Sequence, residues 1–381
     1  MLYASREEDR TARGPINEEV TVLVPTYNEQ DTIQMKLQNI FEQTYPRQLI
    51  RVVIADSAST DNTRELALDF HKGHPELSVR IVEEGKRRGK PAAIAQATGR
   101  CDTDIIVITD ADIELRDYSL ARITENFADP LIGAVTGRQE IPNPLSSSNT
   151  EVESAYRGIC DVLRIGESRL DSTPIFAGEF MAFRKTAARN WDPDSVADDT
   201  ALALQIRKNG YRTIMDPRAV FIEQAALSFR ARMRQKGRRG MGIIQALLRS
   251  RGMLFRHVYG IFGSLILPAE LFLHVVSPLL FVSSLGLLLS GVFVGKAMLL
   301  LSPGLQLLSL VVLLGSLLVL LRRKRLRQVL LFVASYVTAQ LFLFYAIILL
   351  IRYRISPSAR SQLLQWERIL ETRAASAAFA H

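Results

Sequence analysis

Two carboxylates separated by one residue, Asp110 and Asp112, form the most specific chemical pattern in this sequence. They directly follow the apolar stretch IIVIT, which is typical of a buried strand. In an extended or turning segment residues i and i+2 point to the same side, so both carboxylates can reach one hard cation. Mg²⁺ is usually held by one or two carboxylates together with substrate phosphates. The spacing therefore predicts a metal–diphosphate site, and a capped strand-to-helix turn is the alternative.

A second pair of carboxylates, Asp198 and Asp199, precedes a segment of helical character at 201–208. A general base must lie within hydrogen-bond reach of the hydroxyl whose proton it takes. Asp199 is the candidate for that base, beside the metal–diphosphate site and away from the leaving group. The alternative is a helix cap, because aspartate is common at helix N-termini.

Positive charge is concentrated in the stretch 229–257, which has nine basic residues and no acidic one. They are Arg230, Arg232, Arg234, Lys236, Arg238, Arg239, Arg249, Arg251 and Arg256. The other 38 basic residues balance 39 acidic ones, so the whole positive excess of the chain, a net charge of +8, lies in this stretch. Arginine binds phosphate in a bidentate manner and can stabilise a leaving diphosphate. A solvated face or anionic lipid headgroups are the alternatives, whereas no known nucleic-acid module accompanies the stretch, which argues against nucleic-acid binding.

The elements that must position these residues alternate between strands and helices. The predicted strands are 20–25, 50–55, 77–82 and 105–109, and the predicted helices are 31–43, 61–70 and 90–97. Repeated units of this kind imply an α/β fold with a mostly parallel sheet covered on both faces. Ligands of such sheets bind beyond the carboxyl ends of the strands.

Each of the four predicted strands is followed by a polar loop. The loops are 26–29 (TYNE), 56–61 (DSASTD), 85–90 (GKRRGK) and 110–112 (DAD). One such loop is ordinary, because helices need polar N-caps. Four of them on one edge of a sheet predict a nucleotide site.

The C-terminal half is predicted to cross a membrane. From Leu271 to Leu321 the only Lys, Arg, Asp or Glu is Lys296, and 328–351 has none. Because about 20 apolar helical residues cross a bilayer core, three spans are predicted at about 274–295, 297–321 and 328–351. Residues 254–273, with Pro268 and Glu270, are predicted to form an interfacial helix instead.

The charge distribution also predicts the topology of a multi-pass protein of the cell membrane. The N-terminus is too charged for a signal peptide, so residues 1 to about 250 are expected in the cytoplasm. The positive loop 322–327 is then cytoplasmic as well, as positive loops usually are. Three spans place the C-terminal tail on the other side. The two cysteines, Cys101 and Cys160, cannot staple a secreted domain or complete a four-ligand zinc site.

The sequence resembles inverting family-2-type glycosyltransferases with a GT-A fold, from about Val20 to Gly242 and in the C-terminal membrane helices. It is most similar to membrane-embedded members such as cellulose, chitin, hyaluronan and poly-N-acetylglucosamine synthases. The matching segments are VPTYNE (24–29), DSASTDNT (56–63), GKP (89–91), DAD (110–112), FAGEFMAFR (176–184), DDT (198–200) and QKGRR (235–239). Each is weak by itself, but their order and spacing are specific.

The resemblance implies a domain order. A tail (1–19) precedes a cytoplasmic GT-A domain with a Rossmann-like, mostly parallel sheet (20–229). Basic interfacial helices (230–273), transmembrane helices (274–351) and a tail (352–381) follow.

The resemblance also implies roles for individual residues. The expected nucleotide-binding residues are Pro25, Thr26, Asn28, Glu29, Asp56, Ser57, Lys90 and Asp110. Asp110 and Asp112 would hold Mg²⁺ or Mn²⁺, and Asp199 would be the catalytic base. The other expected catalytic residues are Asp198, Gln235, Arg238 and Arg239, and the expected acceptor-binding residues are Gly178 and Glu179.

The implied activity is a single displacement that moves a sugar from a UDP-sugar to a hydroxyl of a growing polysaccharide or lipid-linked glycan. Membrane lipids and a homo-oligomer or partner subunit are implied as partners, because three spans are few for a self-contained channel. One alternative is a transferase that acts on polyprenyl phosphate or another lipid. The other is a non-catalytic membrane scaffold or transport subunit, which the complete set of carboxylates disfavours.

The sequence departs from the family pattern at three places. Asp56-Ser57-Ala58-Ser59 stands where Asp-Asp-Gly-Ser is frequent, and Asp198 replaces the usual Glu. Arg239 replaces the Trp of the QxxRW motif, which in processive enzymes would stack on the acceptor sugar. This change weakens the expectation of long-chain synthesis more than the expectation of sugar transfer.

Overall fold

The central feature is one mixed sheet, seen in a computed structural model that describes residues 11–142, 148–189, 197–223, 229–294 and 326–356. Its strands are β1 (Val20–Thr26), β2 (Ile50–Asp56), β3 (Ser78–Glu83), β4 (Ile105–Thr109), β5 (Glu114–Leu115), β6 (Ile132–Glu140), β7 (Phe180–Arg184) and β8 (Arg212–Ile222). Their order in the sheet is β3-β2-β1-β4-β7-β6-β8-β5. Strands β7 and β5 run antiparallel to their neighbours, and the other pairings are parallel. The predicted α/β class with a mostly parallel sheet is confirmed.

Helices connect and cover these strands. They are α1 (Ile33–Phe41), α2 (Thr63–Gly73), α3 (Lys90–Gly99), α4 (Ser119–Thr124), α5 (Ser148–Leu170), α6 (Asp198–Lys208), α7 (Phe229–Arg249), α8 (Leu267–Leu271), α9 (Ser277–Val294) and α10 (Leu326–Ile355). Short 3-10 or π-helical turns lie between some of them, including Phe262–Ile266 and Phe272–Val276 on either side of α8.

The central strands are buried on both faces. Val22 of β1 and Val107 of β4 lie in the core on one side of the sheet. Leu23 and Ile108 of the same strands lie in the core on the other side. Because successive side chains of a strand point to opposite faces, the continuous apolar runs of these strands supply both cores at once. A rigid double-sided core therefore fixes the positions of the strand ends.

The polar residues at the strand ends lie side by side because the parallel strands are in register. Thr26 at the end of β1 pairs with Asp56 at the end of β2, and Asp56 pairs with Glu83 at the end of β3. Asp110 directly follows the last residue of β4. The loops that carry these residues therefore leave the sheet at the same edge.

Strands β5 to β8 were not anticipated from the sequence. Strand β7 lies antiparallel between β4 and β6, so its position depends on long-range pairing rather than on a local βα repeat. Strand β8 contains Pro217, which cannot donate a ladder hydrogen bond. The pairing of β6 with β8 shifts register between Thr136 and Arg138, opposite that part of β8.

Two helices in the described part of the chain are long and apolar enough to cross a membrane, namely Phe262–Gly286 and Val329–Ile355. The second nearly coincides with the predicted span 328–351. The predicted span 297–321 lies outside the described residues, as do most of the two predicted tails. Three spans therefore remain a prediction.

The predicted boundary between an interfacial helix and a first span at residue 273 is not a break in the structure. The helical segment continues from Phe262 through α8 to the end of α9. Pro268 interrupts the regular hydrogen-bond pattern, and a π-helical turn directly before α8 accommodates it. Glu270 is buried and its carboxylate lies 3.0 Å from Nδ1 of His274.

Candidate active site

The turn after β4 places Asp110 at the carboxyl edge of the sheet. Its backbone N–H donates to the carbonyl oxygen of Glu179 at 3.0 Å, which joins this turn to the loop before β7. Lys90, the first residue of α3, places its ammonium 2.6 Å and 2.8 Å from the two carboxylate oxygens of Asp110. The same ammonium donates to the carbonyl oxygen of Gly178 at 3.2 Å. Lys90 thus links the turn of Asp110 to the Gly178 loop.

The charges at this turn influence one another strongly. Burial raises the pKa of Asp110 to about 7, against the opposing effect of Lys90 and with a further rise from Asp112. Burial alone would lower the pKa of Lys90, but the attraction of Asp110 and Asp198 outweighs burial and raises it. The site therefore contains a cation that is permanently charged at neutral pH and a carboxylate that needs positive partners.

A buried lysine beneath the same turn was missed by the sequence analysis. Lys36 of α1 is almost fully buried, and its amine donates to the carbonyl oxygen of Ile113 at 3.1 Å. Burial lowers the pKa of Lys36 to about 7, although Asp110 and Asp112 oppose the shift. A signal was present, because Lys36 lies three residues after Ile33 and four before Ile40 on the apolar face of α1.

An open cleft at the strand ends contains most of the predicted nucleotide-binding residues. It is lined by Pro25, Thr26, Tyr27, Glu29, Ala55, Ser57, Arg87, Gly89, Lys90, Ala93, Asp110, Ala111 and Asp112. The cleft brings residues from all four predicted loops together, which is the arrangement that the loop pattern predicts.

Asp56 and Asn28 are not among the residues that line the cleft, but both form hydrogen bonds within the loops that surround it. Asp56 is fully buried, and its carboxylate accepts hydrogen bonds from the Thr26 hydroxyl at 3.1 Å and from the Ser59 backbone N–H at 3.0 Å. The Asn28 side chain accepts from the Thr60 backbone N–H at 2.7 Å. Both residues tie the first two loops together, and direct contact of either with a nucleotide stays a prediction.

Two further contacts shape the third loop. The hydroxyl of Ser57 donates to the buried carboxylate of Glu84 at 2.7 Å, and Nε of Arg88 donates to the same carboxylate at 3.0 Å. The guanidinium of Arg87 lies 3.7 Å from the centre of the Tyr27 ring, a cation–π contact. None of Tyr27, Glu84 and Arg87 was assigned a role from the sequence.

Asp199 lies in the first turn of α6, against the Gly178 loop. It is 6% exposed, and its Oδ1 accepts a hydrogen bond of 2.7 Å from the Thr200 backbone N–H. A Cβ on Gly178 would lie 3.1 Å from Oδ2 of Asp199, so glycine permits this close approach. Burial raises the pKa of Asp199 to about 6, and Arg239 opposes the rise. A carboxylate with such a pKa is suited to accept a proton near neutral pH.

Arg239 of α7 connects the same loop to Asp199. Its guanidinium donates to Glu179 Oε1 at 2.8 Å and to the Phe176 carbonyl oxygen at 2.9 Å. Its Nη2 also lies 3.6 Å from Asp199 Oδ2. Burial would raise the pKa of Glu179, but Arg239 and Arg157 outweigh burial and lower it to about 2.

The rotation of α7 separates the predicted basic residues. Gln235 lies on an exposed side of the helix and Arg238 is half-buried, whereas Arg239 reaches the Asp199 region. Lys236 and Arg232 contact Glu153 of α5 at 2.5 Å and 2.9 Å. The predicted catalytic roles of Gln235 and Arg238 stay predictions.

The comparisons with known proteins agree in the kind of protein they find. The family described as glycosyl transferase family 2 matches residues 21–191. Poly-beta-1,6-N-acetyl-D-glucosamine synthase of Staphylococcus epidermidis is 28% identical over 207 residues, 53% of this chain and 49% of that protein. The synthase of the same name from Staphylococcus aureus strain MSSA476 gives the same identity and coverage. The chain therefore matches about half the length of these curated relatives.

One solved structure is similar over nearly the whole chain. It is described as mannosyltransferase PcManGT from Pyrobaculum calidifontis in complex with GDP-Man and Mn²⁺. It is 30% identical, the alignment covers 92% of each chain, and the TM-score is 0.73.

Proposed function

The chain belongs to glycosyl transferase family 2, and on that premise we propose that it transfers a sugar, with inversion, from a nucleoside-diphosphate sugar to an acceptor hydroxyl. One observation carries the proposal. Gly178 lies between two acidic centres. Its carbonyl oxygen accepts a hydrogen bond from Lys90 beside Asp110, and a Cβ added to it would lie 3.1 Å from Asp199 Oδ2. A donor held at Asp110 and a base at Asp199 would thus face one reacting centre.

The donor half fits a divalent cation. Asp110 and Asp112 both line the cleft and offer the carboxylate oxygens that Mg²⁺ or Mn²⁺ prefers. A bound cation would neutralise charge on the diphosphate as it leaves. Lys90 supplies a permanent positive charge on the same side, and Arg238 and Gln235 are proposed to act on the diphosphate as well.

The acceptor half depends on Asp199. Its carboxylate takes the proton of the acceptor hydroxyl while the acceptor oxygen forms a bond to the anomeric carbon. The bond between that carbon and the diphosphate oxygen breaks in the same step, and the electron pair leaves with the diphosphate. A single displacement of this kind inverts the anomeric configuration and forms no covalent enzyme intermediate.

The donor is proposed to be a UDP-sugar, as the sequence resemblance implies. GDP-mannose is a second candidate, because the relative that covers 92% of this chain is a mannosyltransferase in complex with GDP-Man. A growing polysaccharide or a lipid-linked glycan is the proposed acceptor. Arg239 in place of an aromatic residue favours transfer of few sugars over long-chain synthesis.

We place the enzyme in the cell membrane as a multi-pass protein with its catalytic domain in the cytoplasm. Support comes from the two apolar helices Phe262–Gly286 and Val329–Ile355 and from the basic stretch that precedes the first of them. Membrane lipids and a second copy or partner subunit are the proposed partners.

A donor screen with the full chain in nanodiscs tests the proposal. Release of UDP or GDP is measured from UDP-glucose, UDP-N-acetylglucosamine and GDP-mannose, with and without Mg²⁺ or Mn²⁺, in the presence of a membrane lipid extract. We expect turnover with one class of donor, dependent on metal and lost in Asp199→Asn. Turnover that survives both Asp112→Asn and Asp199→Asn would contradict the proposed function.

A further inference from the structure

We propose that Arg239, held in place by its hydrogen bond to Glu179, is a positioning residue that favours the ionised form of Asp199 and fixes the direction of its carboxylate, so that Arg239 and Glu179 act as a positioning pair with opposite electrostatic effects on the base. The inference rests on the proposed function, because it takes Asp199 as the general base. It gives a role to Arg239 at a position where the family motif has a residue that cannot carry charge.

Three contacts restrict the position of the Arg239 guanidinium. Its Nη1 donates to Glu179 Oε1 at 2.8 Å, and its Nη2 donates to the Phe176 carbonyl oxygen at 2.9 Å. The third contact, 3.6 Å from Nη2 to Asp199 Oδ2, is an ion pair rather than a short hydrogen bond. One oxygen of Asp199 is therefore free of a strong donor from Arg239, and a base needs such an oxygen to accept a proton.

The helix that carries Arg239 is itself fixed on its other side. Gly237 and Gly240 pack against Tyr345 and Ala346 of α10, where an added Cβ would lie 2.4 Å and 3.1 Å from the nearest side-chain atoms. Close backbone approach of this kind sets the rotation of α7. The position of the Arg239 guanidinium is thus set by packing and does not depend on Asp199 alone.

The charged groups around Asp199 determine how strongly Arg239 influences its pKa. Asp198 in the same helical turn and Glu179 in the facing loop both raise the pKa of Asp199 beyond the effect of burial. The backbone N–H of Thr200 and the guanidinium of Arg239 lower it. Arg239 is the only one of these groups with positive charge, so its removal would leave Asp199 buried among like charges.

A tryptophan at this position would abolish the charge effect. It would also remove the two hydrogen bonds that hold Glu179 and the Phe176 carbonyl in place. Compared with tryptophan, Arg239 offers no aromatic surface on which a sugar could stack, but it supplies a positive charge that acts on Asp199. This difference suits an acceptor that is held elsewhere, for example by the membrane.

The test is the pH profile of kcat at saturating donor for the full chain in nanodiscs. Asp199 must be ionised to act as a base, so activity falls as pH drops through its pKa. Arg239→Gln should move this acid limb to higher pH by about 1 unit or more, and Arg239→Lys should return it towards wild type. Glu179→Gln should move the limb to lower pH. It removes a negative charge close to Asp199, and the positive charge of Arg239 is then no longer shared with a second carboxylate. The KM for the donor should change little in all three variants.

Arg230→Gln is the matched control, since Arg230 lies exposed on the same helix. Its acid limb should coincide with that of wild type. A merely structural role for Arg239 and Glu179 would lower kcat without moving the limb, or move it in the same direction in both Gln variants, and either result overturns the inference.

Asp199→Asn separates this inference from the proposed function. Wild-type turnover in that variant shows that Asp199 is not the base, which contradicts the function itself. Loss of turnover in Asp199→Asn together with an unmoved limb in Arg239→Gln contradicts the positioning pair alone. If thermal melting shows that Arg239→Gln is not folded, the pH profile of Glu179→Gln is the test instead. An acid limb that does not move in Glu179→Gln overturns the inference.

Discussion

The amine of Lys36 lies 3.1 Å from the backbone carbonyl oxygen of Ile113, one residue after Asp112. A buried amine from α1 therefore supports the turn that carries the predicted metal ligands. Asp110, Asp112 and Glu114 all attract its charged form, but burial dominates and lowers the pKa of Lys36 to about 7. The turn is therefore held by a lysine whose charged form is disfavoured by burial.

Lys36→Met should change how the stability of the protein depends on pH. Between the folded pKa near 7 and the ordinary value of 10.5, the unfolded chain binds more protons at this lysine than the folded chain. The stability of the wild type therefore rises with pH in this window, by about 1.4 kcal/mol per pH unit at most. Lys36→Met lacks this contribution, so its melting temperature relative to wild type should be highest at pH 7 and fall towards pH 9.5.

The measurement is thermal melting of the full chain in detergent across that pH range. Lys86→Met is the control, because Lys86 is exposed and should give a constant difference from wild type. A constant difference for Lys36→Met as well would show that Lys36 is not buried in the protein.

The sequence predicts the donor side of the site well because that side is built from local units. Each βα unit ends in a polar loop, and parallel pairing in register brings Thr26, Asp56 and Glu83 to one edge. The continuous apolar runs of β1 and β4 are sufficient to predict parallel pairing, because such runs are typical of parallel strands that are buried on both faces.

The acceptor side was less predictable because it depends on packing between distant elements. Whether Arg238 or Arg239 faces Asp199 is decided by the rotation of α7, which Gly237 sets through its contact with Tyr345 more than 100 residues later. Glu179 directly precedes β7, so its contact with Arg239 of α7 depends on the long-range pairing of β7 between β4 and β6. A motif gives residue types and spacing, but it does not give this rotation.

Asp112→Asn should remove metal-dependent turnover while the domain stays folded. Loss of one of two carboxylate ligands weakens cation binding, and the transition-state stabilisation that a cation supplies is worth several kcal/mol. We therefore expect turnover to fall by at least about 100-fold. Release of the nucleoside diphosphate is measured over a titration of Mn²⁺.

The control for this variant is Asp117→Asn, which changes an exposed carboxylate seven residues after Asp110. It should keep wild-type turnover and metal dependence. An Asp112→Asn enzyme with the same Mn²⁺ dependence as wild type would remove Asp112 from the metal site.

Gly237→Ala should weaken the packing of α7 on α10. The added Cβ would lie 2.4 Å from Cδ1 of Tyr345, so the ring or the helix must shift. Overpacking of this kind costs about 1–3 kcal/mol, and the shift should also disturb Arg239 two residues later. We expect a lower melting temperature and a lower kcat at an unchanged KM for the donor.

Gly158→Ala is the matched control for this packing effect. Gly158 lies in α5, and an added Cβ there meets no atom within 4 Å. Alanine favours the helix by roughly 1 kcal/mol over glycine, so this variant should melt at the same or a higher temperature. Equal melting temperatures for Gly237→Ala and wild type would show that α7 and α10 are not in close contact.

Phe255 should lie in the lipid headgroup region of the membrane. It is 73% exposed and Val258 is 77% exposed, directly before the apolar helix that begins at Phe262. Phe255 also has a φ of 55°, a conformation that is unfavourable for a residue with a bulky side chain. The exposed cations Arg251 and Arg256 flank it and complement anionic headgroups.

A single tryptophan reports its position. The two native tryptophans, Trp191 and Trp366, are replaced by Phe, and Phe255→Trp is introduced into the full chain in nanodiscs with lipids brominated at different depths. Its fluorescence should be quenched most by bromine close to the headgroups, and more strongly when the lipids are anionic. Tyr118→Trp, which replaces a side chain that is 61% exposed directly before α4 of the catalytic domain, should not be quenched. Equal quenching at the two positions would mean that the segment around Phe255 does not enter the bilayer surface.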